Sequence, residues 1–255
     1  SALEDNTNGF ANAAFGNDAL ANNTTGGWNT AIGSAALFSN TTGTSNVGIG
    51  SGALYSNTTG FSNTSIGNSS LGINTTGDSN CAMGAFALSL NTTGANNTAI
   101  GSSTLSFNFT GSSNVAVGSN ALRMNTASNN TAIGFESMES NSSGTLNTAV
   151  GYRSLEDNTT GSNNTAMGEN ALANNTTASN NTALGSGALK VNTTGIKNTA
   201  IGTSTLTANI TGSENTAIGF NALAANTSST GNVAVGANAL QTATTGSSNT
   251  AVGYN

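Results

Sequence analysis

The sequence predicts an all-β fold: a parallel β-solenoid of about fifteen 17-residue coils. Three observations carry this. The stretch Asn29-Thr-Ala-Ile-Gly33, followed by Ala36-Leu37 and Asn40-Thr-Thr-Gly43, returns as Asn46-Val-Gly-Ile-Gly50, Ala53-Leu54 and Asn57-Thr-Thr-Gly60, and keeps returning along the chain. Large apolar residues hold one phase within that unit, with no helical spacing. Glycine closes each apolar stretch, as it would close a strand.

Let the leading Asn be position 1. It falls at residues 12, 29, 46, 63, 80, 97 and 114, then, after a single 16-residue unit, at 130 and every 17 residues to 249. The slip lies in Asn125-Thr-Ala-Ser-Asn-Asn130, where the Asn-Thr-Thr-Gly turn has lost a residue. Surface loops tolerate such losses and packed strands do not.

Positions 1–4 read as a strand. Asn at position 1 (Asn29, Asn46, Asn63, Asn97) stacks over itself from coil to coil, and asparagine amides so stacked donate and accept along the axis. Position 4 is large and apolar in every unit: Ile32, Ile49, Ile66, Ile100 and their equivalents. With the position-9 residues Leu37, Leu54, Leu71 and Leu105 it is the expected core. Position 3 is almost always Ala, and neighbouring strand residues face opposite ways. The Ala face is therefore expected to meet a second packing surface. Gly33, Gly50, Gly67 and Gly101 stand at position 5 and end the strand. A turn at 5–7 and a second strand near 8–11 follow. Asn-Thr-Thr-Gly makes the other turn, and its Asn40, Asn57, Asn74 and Asn91 at position 12 are expected to form a second amide ladder.

Composition excludes several functions. Charged residues are 5% of the chain, with no His and no Pro. The four cations are scattered, so nothing resembles a nucleic-acid footprint. No apolar run approaches the ~18 residues of a membrane span. No cofactor motif, metal-ligand spacing or recurring carboxylate pair is present, and an enzyme is not expected. Glu4-Asp5 and Glu156-Asp157 read as solvated edges, and Cys81 at position 2 reads as a small core-filling residue. The whole of 1–255 reads as one continuous repeat domain, and its opening in mid-coil reads as a fragment of a longer fibre.

The units Asn-Thr-Ala-Ile-Gly at 29–33, 97–101 and 198–202, and Asn-Val-Ala-Val-Gly at 114–118 and 232–236, resemble the YadA-like head repeats of trimeric autotransporter adhesins. The longer unit with Ala-Leu and Asn-Thr-Thr-Gly is similar to repeat regions of phage-tail-fibre-like proteins. The resemblance implies a homotrimer of left-handed β-rolls, outside the cell or on a virion, serving as an adhesin head, a stalk or a tail-fibre shaft. The head repeat is shorter, so the extra residues here enlarge one turn. A thin solitary coil is marginal in stability, and association of copies, as a trimer or a filament, is the physical remedy.

Two other readings stand beside this one. Asn-x-Thr/Ser sequons at position 12, among them Asn23, Asn40, Asn57, Asn158 and Asn192, could coat a surface filament with N-glycan if they faced outward. Ranked threonines at positions 13 and 14 could make an ice-binding face. Trp28, Phe61, Tyr152, Ile196 and Phe220, at variable positions, are candidate contacts for a receptor or glycan.

Overall fold

In a computed structural model, residues 1–255 are all described. The chain divides into two compact units, Ser1–Asn129 and Asn130–Asn255, and the boundary falls at the end of the 16-residue coil. The first unit carries seven three-residue strands: β1 (Ala13–Phe15), β2 (Thr30–Ile32), β3 (Val47–Ile49), β4 (Thr64–Ile66), β5 (Cys81–Met83), β6 (Thr98–Ile100) and β7 (Val115–Val117). The second carries eight: β8 (Thr131–Ile133), β9 (Thr148–Val150), β10 (Thr165–Met167), β11 (Thr182–Leu184), β12 (Thr199–Ile201), β13 (Thr216–Ile218), β14 (Val233–Val235) and β15 (Thr250–Val252). Within each unit every strand pairs in parallel with its neighbours in sequence, like position on like position: Thr30 on Val47 and Ile32 on Ile49 in one, Thr165 on Thr182 and Met167 on Leu184 in the other. Each unit is thus a parallel β-solenoid with one strand per coil.

The second strand expected near positions 8–11 is a turn instead. Its backbone alternates in sign: Ala35 at position 7 has φ 54° and Leu37 at position 9 has φ 53°. That alternation breaks the pleat, yet the segment still bonds from coil to coil. The Leu37 amide donates to the Ala53 carbonyl at 2.9 Å, and the Ser39 amide to the Tyr55 carbonyl at 2.9 Å.

The strand's two faces are the reverse of the sequence expectation. Ala31, Ala99 and Ala183 at position 3 are fully buried, whereas Ile32 and Ile100 at position 4 are 42% and 38% exposed. Ile49 and Ile66 are half-buried. The other half of the predicted core holds: Leu37, Leu54, Leu71 and Leu105 are fully buried. The reason is depth. A Cβ built on Gly48, at position 3, would lie 3.4 Å from Leu37 Cγ and 3.2 Å from the Ala53 carbonyl. Leu thus reaches across the coil to the inner face of the strand and leaves room there for a methyl group only. The core of a coil is one Leu, two small residues and two Asn.

Those Asn form the two ladders. At position 12, Asn40 Nδ2 donates to Asn23 Oδ1 at 2.8 Å, Asn57 to Asn40 at 2.9 Å, Asn74 to Asn57 at 2.8 Å and Asn91 to Asn74 at 2.8 Å. At position 1 the rung differs: the Asn46 backbone amide donates to Asn29 Oδ1 at 3.0 Å, and the Asn63 amide to Asn46 Oδ1 at 2.9 Å. Both Asn of a coil also donate to one position-15 carbonyl. Asn29 Nδ2 and Asn40 Nδ2 reach Gly43 O at 2.8 and 3.0 Å. This double clamp fixes where the Asn-Thr-Thr-Gly turn ends. In the shortened turn Ala127 takes the same role, receiving Asn114 Nδ2 and Asn125 Nδ2 at 2.8 Å each.

Candidate functional site

The feature that the fold presents to its surroundings is the outer strand face. Positions 2 and 4 point outward, so Thr, Val, Cys or, in β1, Ala stands in one rank and Ile, Val, Met, Leu or, in β1, Phe in the next, in register along each unit. In the second unit the first rank is Thr131, Thr148, Thr165, Thr182, Thr199 and Thr216 without interruption. Exposed members of the apolar rank include Met83 (39%) and Met167 (45%), along with Ile32 and Ile100. Single exposed apolar residues are ordinary; a row of them in register makes this face the candidate surface. Cys81 belongs to this face, half-buried between Thr64 and Thr98, and is not the core filler that the sequence suggested.

Hydrophobicity along the sequence does not reveal this face, because a large apolar side chain ordinarily signals burial. The better signal was variation among the repeats. Position 3 admits only Ala, Gly or Ser, whereas position 4 admits Phe15, Ile32, Met83, Val117 and Leu184. A position that tolerates such differences in volume is not the close-packed one.

The residues singled out as receptor contacts lie on the surface but do not gather. Trp28 packs edge-on against Phe10, with centroids 4.4 Å apart. Tyr152 stacks on Phe135 at 5.8 Å and carries the Arg153 guanidinium over its ring at 5.2 Å. Phe61, Ile196 and Phe220 are exposed in three other coils.

The sequon asparagines are placed unambiguously. Asn23, Asn40, Asn57, Asn158 and Asn192 are fully buried, and each Nδ2 donates both to the ladder and to a position-15 carbonyl. An amide held this way is not open to an acceptor chemistry in the folded chain. The threonines of the same turn divide: the Thr41 hydroxyl donates to the Thr58 carbonyl of the next coil at 3.1 Å, while Thr42 is exposed. Position 13 is thus spent within the fold.

Glu156 is less solvated than its sequence setting implied. Its carboxylate lies with those of Glu136 and Glu139, all within 4.8 Å of one another. Arg153 Nε bridges two of them, at 2.7 Å from Glu136 and 3.5 Å from Glu156. Burial pushes the Glu156 carboxyl above its ordinary range; Arg153 opposes the shift, and Asp157, Glu136 and Glu139 add to it. Three carboxylates could hold a cation, but Arg153 already pairs with two of them.

No helix is long and apolar enough to cross a membrane. Comparison with protein-family models, with curated proteins and with solved structures gives no match for the chain. What the fold and its interior define is a class: a parallel β-solenoid repeat protein, built on asparagine ladders and presenting an outer strand face ranked with Thr and Ile.

Proposed function

We propose that this chain is a non-enzymatic structural segment of an extracellular fibre, of the adhesin-head, stalk or tail-fibre-shaft kind, in which copies associate through the outer strand face. A homotrimer of left-handed coils is the arrangement that the likeness to YadA-like head repeats implies. The observation that carries the reading is the apolar rank at position 4. Each coil buries one Leu and small residues, while a second large apolar side chain per coil, such as Ile32 or Ile100, is left substantially in water. Burying that row would add about 25 cal/mol per Å² of apolar surface removed from water, just where a thin solenoid is poorest. The faces are exchanged relative to the sequence expectation, in which Ala formed the outer contact, but the need for a second packing surface remains.

Sedimentation velocity at micromolar concentration tests this. An oligomer, and its dissociation in Ile66→Lys/Ile100→Lys with the monomer's circular dichroism unchanged, is the expected result. A wild-type monomer would refute the proposal.

One observation favours a second reading, ice binding: the uninterrupted outward rank Thr131 to Thr216. The face and not the Asn-Thr-Thr turn would then do the work. Thermal hysteresis from a monomer would transfer the face to ice; its absence leaves the fibre reading alone.

A further inference from the structure

A second surface feature lies away from the strand face, at positions 7, 10 and 11 of the first unit. Phe38 and Tyr55 occupy position 10 of successive coils and stack, with centroids 5.1 Å apart and planes 10° from parallel. The next residue in that column is Gly72, and the stack stops. No other coil has Gly at position 10. Its φ does not require it, since Gly72 is not among the residues with positive φ, and although a Cβ there would lie 3.2 Å from the Ser69 carbonyl oxygen, every other coil carries a side chain at position 10. What the glycine supplies is a missing side chain.

One coil further on, at position 7, stands Phe86, with φ 59°. That position is left-handed in every coil and is otherwise filled by Gly, Ala, Ser, Asn, Asp, Glu or Arg. A bulky ring costs most in this conformation, and no other coil places an aromatic residue there. Tyr55 and Phe86 thus wall a groove of about 500 Å³ on either side of the vacant rung, with Ile73 and Leu90 along it and Ser56 and Ser69 at its edge.

The geometry points to a binding slot for one neutral pyranose ring, stacked on the free face of Tyr55 at the level of Gly72. Rungs are ~4.8 Å apart, so a ring at that level repeats the spacing of the Phe38–Tyr55 pair. The lining holds no charged side chain, which suits an uncharged ligand and disfavours phosphate, sulfate or carboxylate. Aromatic faces receive the C–H face of a sugar, while Ser56, and Ser69 as an acceptor because its hydroxyl donates to Asn68 Oδ1 at 3.3 Å, stand where they can bond its equatorial hydroxyls. The slot uses none of the strand positions 2 and 4, so the inference does not depend on how copies associate.

Saturation-transfer NMR on the whole chain tests it, with methyl β-D-glucopyranoside and methyl β-D-galactopyranoside as probes and p-cresol as competitor. Transfer to one C–H face of at least one glycoside is expected. Tyr55→Ala should weaken binding at least tenfold. Gly72→Phe, which fills the rung and completes the stack, should abolish it while raising the thermal midpoint, so loss of fold cannot mimic the result. No transfer to either glycoside, transfer that survives Gly72→Phe, or binding of p-cresol alone would each overturn the assignment. So would a change in sedimentation with Gly72→Phe, which would make the groove a contact between copies.

Discussion

Two glycines show how single residues are held by different constraints. Gly67, at position 5, has φ 135°, and a Cβ there would meet the Gly84 carbonyl oxygen of the next coil at 2.6 Å. Conformation and stacking both forbid a side chain, which is why position 5 is Gly in all fifteen units. Gly67→Ala should therefore cost about 3 kcal/mol or more, read as a large fall in the denaturation midpoint. Gly48 is the opposite case. It stands at strand position 3 and has no positive φ, and a Cβ there would lie 3.2 Å from the Ala53 carbonyl oxygen and 3.4 Å from Leu37 Cγ, a tight fit that Ala makes in most other coils. Gly48→Ala removes backbone freedom from the unfolded chain, and with the few tenths of an ångström of give that the other coils show it should add about 0.5–1 kcal/mol. Calorimetry of both variants checks the pair, and a destabilised Gly48→Ala would contradict the inward assignment of position 3. The leucines carry the converse burden. Leu37, Leu54 and Leu71 sit at φ 47–53°, a left-handed conformation costing roughly 1–2 kcal/mol for an L-residue, offset by complete burial.

At the scale of the element, the position-12 ladder behaves as a chain in which each amide satisfies its neighbour. Asn74 donates to Asn57 Oδ1 and to Gly77 O, and accepts from Asn91. Asn74→Ala strips Asn57 Oδ1 of its donor and Asn91 Nδ2 of one acceptor. Buried polar groups left unpaired cost ~1–3 kcal/mol each, so about 3 kcal/mol is expected. Asn108 differs because its Oδ1 is buried without a partner, beside the shortened turn. Removing it deletes an unmet acceptor along with the bonds to Asn91 and Gly111, so Asn108→Ala should cost about 1 kcal/mol less than Asn74→Ala. Equal costs, measured by urea denaturation, would mean that the ladder is not what holds the turn. These ladders were legible in the sequence, because Asn recurs at positions where propensity argues against it in a strand. So were the strand, read across positions 1–4 and found at 2–4, the glycine that ends it and the loop that absorbs the slip. The faces were not legible from hydrophobicity, since large apolar residues on a surface are common and only the narrow size range at Ala31 and its equivalents reveals the interior. Nor was the turn at 8–11, where left-handed Leu cannot be anticipated from a residue that ordinarily avoids that conformation. The Tyr55–Gly72–Phe86 groove was hidden for another reason: it is made of exceptions to the repeat, and only the coil geometry brings them side by side.

For the molecule as a whole, the unusual quantity is how little of its stability can titrate. The chain has 4 Lys and Arg, 10 Asp and Glu and no His, and the groups that close each coil are amides and backbone carbonyls. Stability should accordingly be nearly flat across neutral pH, with no step of the kind that histidine gives. On the acidic side, a departure from flatness belongs to Glu156. Its folded pKa is raised, chiefly by burial, over the attraction of Arg153 and with the help of Asp157, Glu136 and Glu139. A carboxyl whose folded pKa exceeds its unfolded value is favoured in its protonated form by folding. Its contribution is fully present below the unfolded pKa and is lost as the pH rises through the folded one, leaving a charge that the second unit holds at a disadvantage. Glu156→Gln keeps the shape and removes the charge. The variant should therefore be more stable than wild type at about pH 7 and indistinguishable from it at about pH 3, where Glu156 is already protonated. Thermal midpoints of the two proteins measured across that window decide it. A variant destabilised at neutral pH would mean that the Arg153 ion pair outweighs desolvation, and the sign of the linkage would be reversed.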